Sequence, residues 1–419
     1  MQREAKADTL GKRKADGPFT SLQHRDFRLL YIGQFISDAG SQMQMVAMNW
    51  QIYIITKSAF ALGLMGFVRF TPVVIFSVVG GMLADVHDRR RILLVTQSSM
   101  TLLAALLGFL SYGGAISVIT IYALAALTSA ANSFDSPARQ SLIPNLVPLE
   151  HLTNALSLNS IMHKTATIAG PGLAGFVIAW GGVAAVYWLN AASFLAVLIA
   201  LLLMRIPTRK SIGATRMARS SLVEGIRFVR NSQLLWSTTL LDFAATFFAN
   251  ASSLLPIFAH EILHVGPQGL GILYASRSIG SVLTGAGMSL VRSVKRQGTL
   301  VLWAITLYGA ATVSFGLSHW FSLSVIFLAL VGAADTFSTI LRNTIRQLVT
   351  PDQLRGRMNG LNMVFARGGQ QLGNLEAGIV AAWIGTPLSV ISGGLVTLAV
   401  VAAVFLWAPQ LRKYQEEFK

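Results

Sequence analysis

The chain has 419 residues, of which 53% are hydrophobic and only 12% are charged, and its mean hydropathy is +0.59. A soluble domain carries about a quarter charged residues, so this composition excludes an ordinary soluble protein and predicts an integral membrane protein. The formal net charge of +16 is compatible with nucleic acid, a membrane surface or membrane topology, and the positions of the basic residues decide between them. Cysteine is absent, which excludes disulfides and thiol chemistry.

Twelve segments predict membrane-spanning helices, each of which requires about 20 mainly apolar residues. Most Lys and Arg residues fall in the even-numbered gaps between these segments and in the two tails, whereas Lys57 falls in an odd-numbered gap. This positive-inside bias predicts a multi-pass protein with both termini in the cytoplasm and the lipid bilayer, not nucleic acid, as its partner. The predicted spans are 29–55, 59–84, 92–112, 116–137, 152–180, 183–204, 233–262, 268–291, 299–317, 321–342, 356–383 and 388–407.

A stretch of the first half recurs in the second half. Residues 131–182 align without a gap on residues 334–385, and the identical pairs include Arg139 with Arg342, Gly175 with Gly378 and Gly182 with Gly385. Repeats of this kind are common in transporters, whose substrates bind at the interface between the repeats. We therefore expect an all-α membrane protein of two six-helix bundles related by pseudo-twofold symmetry. The predicted parts are a tail at 1–21, bundles at 22–204 and 233–408, a linker with a short amphipathic helix at 205–232, and a tail at 409–419.

Each predicted bundle carries an acid in its first span and a cation in its second. Asp38 and Asp242 are the acids, and Arg69 and Arg277 are the cations. A carboxylate at membrane depth is tolerated mainly where it faces a bundle interior or a watery cavity. We expect Asp38 to pair with Arg69 and Asp242 with Arg277, and these groups to couple transport to protons, with sodium as the second choice. A purely structural ion pair is the competing interpretation.

Further polar residues predict a substrate cavity. Lys164 and Arg367 occupy equivalent positions of the repeat inside apolar segments, and two such cations suit an anionic or polyhydroxylated small molecule. Glu376 follows Arg367 by nine residues, about half a turn around a helix, so it is predicted to be a lateral proton site or a partner for the second and third helices. The remaining predicted cavity residues are Gln34, Asn49, Asn250, Gln371 and Asn374.

The second span ends in Gly-Met-Leu-Ala-Asp-Val-His-Asp-Arg-Arg-Arg at 81–91. This motif resembles the Gly-x-Leu-Ala-Asp-x-x-x-Arg-Arg loop between helices 2 and 3 of the major facilitator superfamily, from which Val86 and Asp88 depart. The second copy, at 285–296, has Ser289 in place of the acid, which suggests a latch on one side only. Arg139 either reaches Asp85 or forms a plain surface pair with Asp135. The predicted cytoplasmic gate consists of Gly81, Asp85, Arg89, Arg90, Asp135 and Arg139.

The stretch Thr-Pro-Asp-Gln-Leu-Arg-Gly-Arg-Met-Asn-Gly-Leu at 350–361 is similar to the loop before the eleventh helix in siderophore exporters of the bacterial secretion-effector branch. The resemblance implies a proton-coupled exporter of the inner membrane, monomeric and without a cofactor, in which the two bundles alternate access to the cavity. A siderophore or similar anionic metabolite is the first expected substrate. Multidrug or macrolide efflux is the alternative, because Phe247, Phe248 and Phe365 would line an apolar cavity, and a non-transporting scaffold is a remote third.

Two motifs test rival functions. His260-Glu-Ile-Leu-His264 matches the H-E-x-x-H zinc protease signature, but no further His, Asp or Glu nearby offers a third ligand. The chain contains no G-x-x-x-x-G-K-[ST] phosphate-binding loop. We therefore expect neither a metal site nor an enzyme, and not an ATP-driven pump.

Overall fold

The computed structural model describes residues 17–205, 232–250, 252–291 and 294–415, and these ranges contain helices and connecting turns but no strand. The helix predicted within the linker and most of the first tail lie outside the described residues. Side chains at some helical positions are also outside the description, namely 78, 84, 85, 352, 353, 355–357 and 359–367.

The first half contains four long helices and one long helical stretch with a break. At 1.5 Å per residue, the 52 residues of Leu152–Leu203 would extend about 78 Å if straight, more than twice the bilayer core of about 30 Å. Gly182 interrupts this stretch with φ 73° and ψ 178°, and we name its two segments α5 (152–181) and α6 (183–203). The preceding helices are α1 Arg25–Thr56, α2 Ala59–Val86, α3 Arg89–Tyr112 and α4 Val118–Leu142.

The second half repeats this arrangement, and Gly385, the repeat counterpart of Gly182, also has a positive φ of 91° where α11 meets α12. Its helices are α7 Gln233–Phe247, α8 Gly266–Ser289, α9 Gln297–Leu317, α10 Phe321–Val349, α11 Asp352–Ile384 and α12 Thr386–Trp407.

The predicted span 233–262 is long and apolar enough to cross a membrane, but it is not one continuous α-helix. Helix α7 ends at Phe247, and the chain continues through the short helical turns Ser252–Leu254, Leu255–Ile257 and Phe258–Ile262, the last of which is a π-helix. Pro256 cannot donate a backbone hydrogen bond, which favours such irregular turns over a continuous α-helix. We call residues 252–262 the α7 extension.

Seven stretches of the described residues are long and apolar enough to cross a membrane, which agrees with the expected all-α membrane protein. Helices α1, α4, α8 and α11 are not among them, so the count of twelve spans stays a prediction. The seven stretches are Ala59–Ser77, Arg89–Tyr112, Leu149–Leu203, Gln233–Ile262, Gln297–Leu317, Phe321–Val349 and Thr386–Trp407.

The buried apolar core joins the two halves at one end of the molecule. There a single cluster combines Tyr53 and Leu62 of the first half with Phe258 and Leu270 of the second. At the opposite end each half has its own cluster, one around Phe27 in the first half and a separate one in the second half, around Leu234 and Leu411. We call these the joined end and the open end, and we use the word cleft for the region between the halves toward the open end, where no cluster of described apolar residues joins them.

Candidate functional site

The joined end depends on two glycine contacts between the halves. A Cβ placed on Gly175 of α5 would lie 2.8 Å from the Cα of Gly271 of α8, and one on Gly63 of α2 would lie 2.9 Å from the Cα of Gly378 of α11. Such distances leave no room for a side chain, so the helices approach as closely as backbones allow. The repeat relates Gly175 to Gly378, and both Gly63 and Gly271 follow a leucine at the start of their helices.

The H-E-x-x-H motif belongs to the same end. The Tyr53 hydroxyl of α1 donates a hydrogen bond to Glu261, and the His260 ring centroid lies 5.6 Å from that of Tyr53 and 5.9 Å from that of Trp50. Lys57 Nζ lies 3.5 Å from His260 Nε2. The motif therefore connects the α7 extension to the end of α1, and its acid is committed to a contact between the halves.

A charge network surrounds Asp38 in the first half. Its carboxylate lies 2.5 Å from His163 Nδ1 of α5 and 3.7 Å from Arg139 of α4, and it accepts a 2.6 Å hydrogen bond from Gln34. Arg139 also lies 3.4 Å from Asp135. The Asp38 side chain is 17% exposed and that of Arg139 is 11% exposed, whereas the His163 side chain is 44% exposed, so the network is enclosed on the side of α4 and accessible at His163.

Asp135 extends the same network to α3. It accepts hydrogen bonds of 3.0 Å from Thr96 and 2.9 Å from Gln97. Because its side chain is only 2% exposed, the interpretation of Asp135 and Arg139 as a plain surface pair is wrong. Helix α4 continues through Pro137 to Leu142, which keeps both residues inside the bundle.

Asp242 is the centre of the corresponding network in the second half. Its carboxylate lies 3.0 Å from Arg342 and 3.3 Å from Arg346, both of α10. Arg346 also donates to the Thr238 backbone oxygen at 3.0 Å. The Arg342 side chain is 2% exposed, and a buried charge of this kind needs its counter-ion.

The predicted pairs Asp38 with Arg69 and Asp242 with Arg277 are therefore wrong. In both halves the acid of the first helix instead pairs with the arginine of the fourth, and Arg139 and Arg342 are repeat counterparts. In the first half, the position along the bundle explains the difference. Helix α2 approaches α4 near Asp135 at Gly80. Arg69 lies 11 residues from Gly80, or about 16 Å along α2 at 1.5 Å per residue, so it lies far from the level of the Asp135 network.

Arg277 has a separate polar cluster in the second half. It lies 3.7 Å from Asp335 and donates hydrogen bonds of 2.6 Å to Ser252 and 3.3 Å to Asn250. The Asn250 amide donates to Asn374 of α11 at 3.2 Å. Two predicted cavity residues thus join Arg277 in a chain of polar contacts from α10 to α11.

The other predicted cavity residues have different surroundings. Gln34 belongs to the Asp38 network, and Asn49 is buried in α1. Gln371 and Asn374 lie where α11 faces Gly66 of α2, because a Cβ on Gly66 would lie 3.0 Å from the Asn374 Cβ and 3.2 Å from the Gln371 Oε1.

Lys164 is exposed and makes no ion pair with any described residue. It lies 11 residues before Gly175, which is close to three full helical turns, so both residues occupy the same face of α5. Since Gly175 contacts α8 in the second half, Lys164 borders the cleft on the side of the open end. The side chain of its counterpart Arg367 lies outside the description, and Glu376 is half-buried without a hydrogen bond or ion pair to a described residue.

Close packing beside the predicted gate occurs at Gly80 and not at Gly81. A Cβ on Gly81 would have no atom within 4 Å, whereas one on Gly80 would lie 2.3 Å from the Ser133 backbone oxygen, so Gly80 is the close-packing position. Arg89 donates to the Ser141 oxygen at 2.6 Å, and Arg90 donates to the Leu201 oxygen at 3.0 Å. These arginines tie the start of α3 to the ends of α4 and α6, and the side chain of Asp85 lies outside the description.

Sequence reasoning missed two charged partners. His163 precedes Lys164 directly, and only the position of α1 shows that the histidine, not the lysine, contacts Asp38. Arg346 follows Arg342 by one helical turn, beyond the predicted end of that span at 342. Spacing of four residues could have indicated that Arg346 shares the face of Arg342.

The fold and these enclosed charges define a class of protein, the multi-pass membrane transporters. Residues 16–418 match the transmembrane secretion effector family. The chain belongs to this family of the major facilitator superfamily, which confirms the resemblance seen in the sequence.

Curated relatives agree with this assignment. The chain is 28% identical over 397 residues to the enterobactin exporter EntS of Citrobacter koseri, and the match covers 94% of each chain. It is 27% identical over 394 residues to the enterobactin exporter EntS of Escherichia coli O127:H6, again with 94% of each chain covered. These relatives are transporters, which confirms that the chain is not an enzyme.

Solved structures show the same fold at lower sequence identity. An inward-facing bacterial homologue of the human lysosomal transporter Spinster has a TM-score of 0.72 and 16% identity, with 93% of this chain and 98% of that chain covered. An inward-facing bacterial homologue of the iron transporter ferroportin has a TM-score of 0.70 and 14% identity, with 93% and 99% covered.

Proposed function

We propose that this protein exports a siderophore or a similar anionic small molecule across the bacterial inner membrane in exchange for protons. The observation that carries the proposal is full-length similarity to proteins named as enterobactin exporters. Charged residues enclosed in matching positions of both halves support a transport function over a non-transporting scaffold, because such residues are costly at membrane depth.

The proposed topology has twelve spans in two six-helix bundles, 22–204 and 233–408, with both termini in the cytoplasm and one chain as the functional unit. Pseudo-twofold symmetry is supported by contacts that the repeat interchanges. The contact of Gly175 with Gly271 corresponds to that of Gly378 with Gly63, and the pair Asp38 with Arg139 corresponds to Asp242 with Arg342.

Alternating access would occur by rocking of these bundles about the cleft. The shared core at the joined end and the separate cores at the open end support a conformation open on one side. Both Spinster and ferroportin homologues of similar fold are inward-facing, so we assign the open end to the cytoplasm. Arg89 and Arg90 then brace the first bundle at the cytoplasmic surface, beside Gly81 and Asp85.

Proton coupling in this proposal depends on the Asp38 and Asp242 networks. A proton on Asp38 would remove the charge that holds Arg139 and would leave Arg139 to Asp135 alone. Because α1, α4 and α5 all contribute to the Asp38 network, a change in its charge changes how these three helices are held together. Asp242 would act in the same way on Arg342 and Arg346, and Glu376, which has no described partner, is retained as a lateral proton site.

Transport by purified protein in proteoliposomes tests this proposal. With an imposed pH gradient, we expect gradient-dependent movement of enterobactin and little movement of a macrolide such as erythromycin. The opposite preference would establish the alternative, macrolide efflux, which the stacked Phe243 and Phe247, with ring centroids 5.0 Å apart, would favour. Gradient-independent movement of both compounds would contradict proton coupling.

A further inference from the structure

Arg69 differs from its counterpart in the second half in having no partner among the residues that the structure describes. It is half-buried within α2, and it makes no ion pair or hydrogen bond with any described residue. Arg277, at the same distance from the matching Leu-Gly sequence of α8, has Asp335 at 3.7 Å and the Ser252 hydroxyl at 2.6 Å. Arg277 therefore has a counter-ion, whereas Arg69 has none among the described residues.

The sequences of the two halves differ at the partner of Arg277. Asp335 of α10 aligns with Asn132 of α4 in the ungapped repeat, so the first half has an amide where the second half has a carboxylate. Gly80 packs against Ser133 of α4, and Arg69 lies 11 residues, or about 16 Å, before Gly80 along α2.

An enclosed guanidinium without a counter-ion is unfavourable unless an anion reaches it. Carboxylates and phenolates accept the parallel hydrogen bonds that a guanidinium donates. Lys164 is a second cation of the first half that makes no ion pair with a described residue, and it lies nearer to the open end. Arg69 and Lys164 are thus two cations of the first half that an anionic ligand could neutralise.

We propose that Arg69 is the principal anchor for an anionic group of the substrate, with Lys164 as a second contact. The substrate class is then a polyanion with catecholate or carboxylate groups, held mainly by the first half. Arg277 acts instead as a positioning residue for Asn250 and Ser252. This inference depends on the proposed exporter function, and it replaces proton coupling as the role of Arg69.

The test is a binding measurement with two matched probes. A linear tris-catecholate amide and its fully O-methylated analogue have the same skeleton, but only the first has acidic phenols. Affinities are measured by tryptophan fluorescence for the full-length protein in lipid nanodiscs. We expect the wild type to prefer the acidic probe and Arg69→Gln to lose about tenfold or more in affinity for it, as expected for loss of a charge-assisted hydrogen bond.

The methylated probe and one further variant complete the test. Arg69→Gln should bind the methylated probe like the wild type, and Arg25→Gln, which removes one charge from the exposed start of α1, should leave both affinities unchanged.

Three results would overturn the assignment. Arg69→Gln that keeps the preference for the acidic probe would remove Arg69 from recognition while leaving the exporter proposal intact. An equal loss for both probes would show a packing role for the arginine. A wild type that binds neither probe would contradict the proposed substrate class and this assignment with it.

Discussion

Asp242 is the counter-ion of two buried arginines. Its carboxylate lies within 3.3 Å of both Arg342 and Arg346, and removal of its charge leaves two guanidinium groups in an enclosed site. We expect Asp242→Asn to lower the free energy of unfolding by about 3–5 kcal/mol, as for other broken buried ion pairs. Thermal unfolding in detergent measures this effect.

Asp88→Asn is the matched control for that substitution. Asp88 lies at the start of α3, where it accepts a 2.9 Å hydrogen bond from the Arg90 amide, and asparagine caps a helix about as well as aspartate. The control should therefore unfold like the wild type. Equal stability of Asp242→Asn and the wild type would show that the Asp242 network does not hold α7 to α10.

His163 makes a separate prediction at the same scale. Its imidazole contacts Asp38, with Arg139 on the other side of that carboxylate and Lys164 next in the chain, so its removal changes how the proposed coupling carboxylate is held. We expect His163→Ala to change the pH dependence of transport. Lys164→Ala should instead weaken binding of an anionic substrate without moving the pH profile.

A pH-rate profile of transport in proteoliposomes measures this difference. If the two variants change the profile equally, or if His163→Ala leaves it as in the wild type, His163 has no part in coupling. A profile shifted only in His163→Ala would support its contact with Asp38 as functional.

Individual residues also show what sequence could predict. That Asp38 and Asp242 are enclosed followed from the cost of a carboxylate within an apolar segment, and the structure places both in charge networks. Their partners could not be predicted, because Arg139 is 101 residues from Asp38 and the pairing depends on how α1 meets α4. The matched spacing of Arg69 and Arg277 suggested a pairing that depth along the bundle does not allow.

At the scale of elements, apolar length predicted where helices occur but not where they end. Helix α10 extends from Phe321 to Val349, seven residues past its predicted end, because Arg342 and Arg346 continue the helix as partners of Asp242. The break after Phe247 was missed for the opposite reason, since the whole stretch 233–262 is apolar enough for a span and the irregular turns after the break pack inside the joined end.

The glycine contact between α5 and α8 predicts a conformational effect. Gly271→Leu places a side chain where Gly175 leaves no space, so we expect the joined end to open. The chain has no native cysteine, so spin labels can be attached to single introduced cysteines at exposed positions such as Trp180 and Trp320, which are 84% and 73% exposed.

Electron-electron resonance distances between these labels measure the opening. We expect a longer mean distance in Gly271→Leu than in the parent protein, and an unchanged distance in Gly287→Leu, because Gly287 has open space around its Cβ position. A distance that stays short in Gly271→Leu would contradict the assignment of this contact to closure of the joined end.

For the whole molecule, the internal repeat was the most informative feature of the sequence. It predicted two equivalent halves, and the positive φ of both Gly182 and Gly385 shows that the turn is kept in each copy. Where the copies diverge, as at Asn132 and Asp335, the halves acquire different chemistry. The substrate was predicted only from the resemblance to a family, because no residue pattern in the sequence distinguishes one anionic substrate from another.

The central claim is that outward movement of substrate is exchanged for protons through Asp38. The most direct measurement follows the internal pH of proteoliposomes with a trapped dye while a tris-catecholate probe is added without an imposed gradient. We expect wild-type protein to produce a pH change that scales with probe transport and that Asp38→Asn does not produce. Probe transport without any pH change in the wild type, or an undiminished pH change in Asp38→Asn, would contradict the claim.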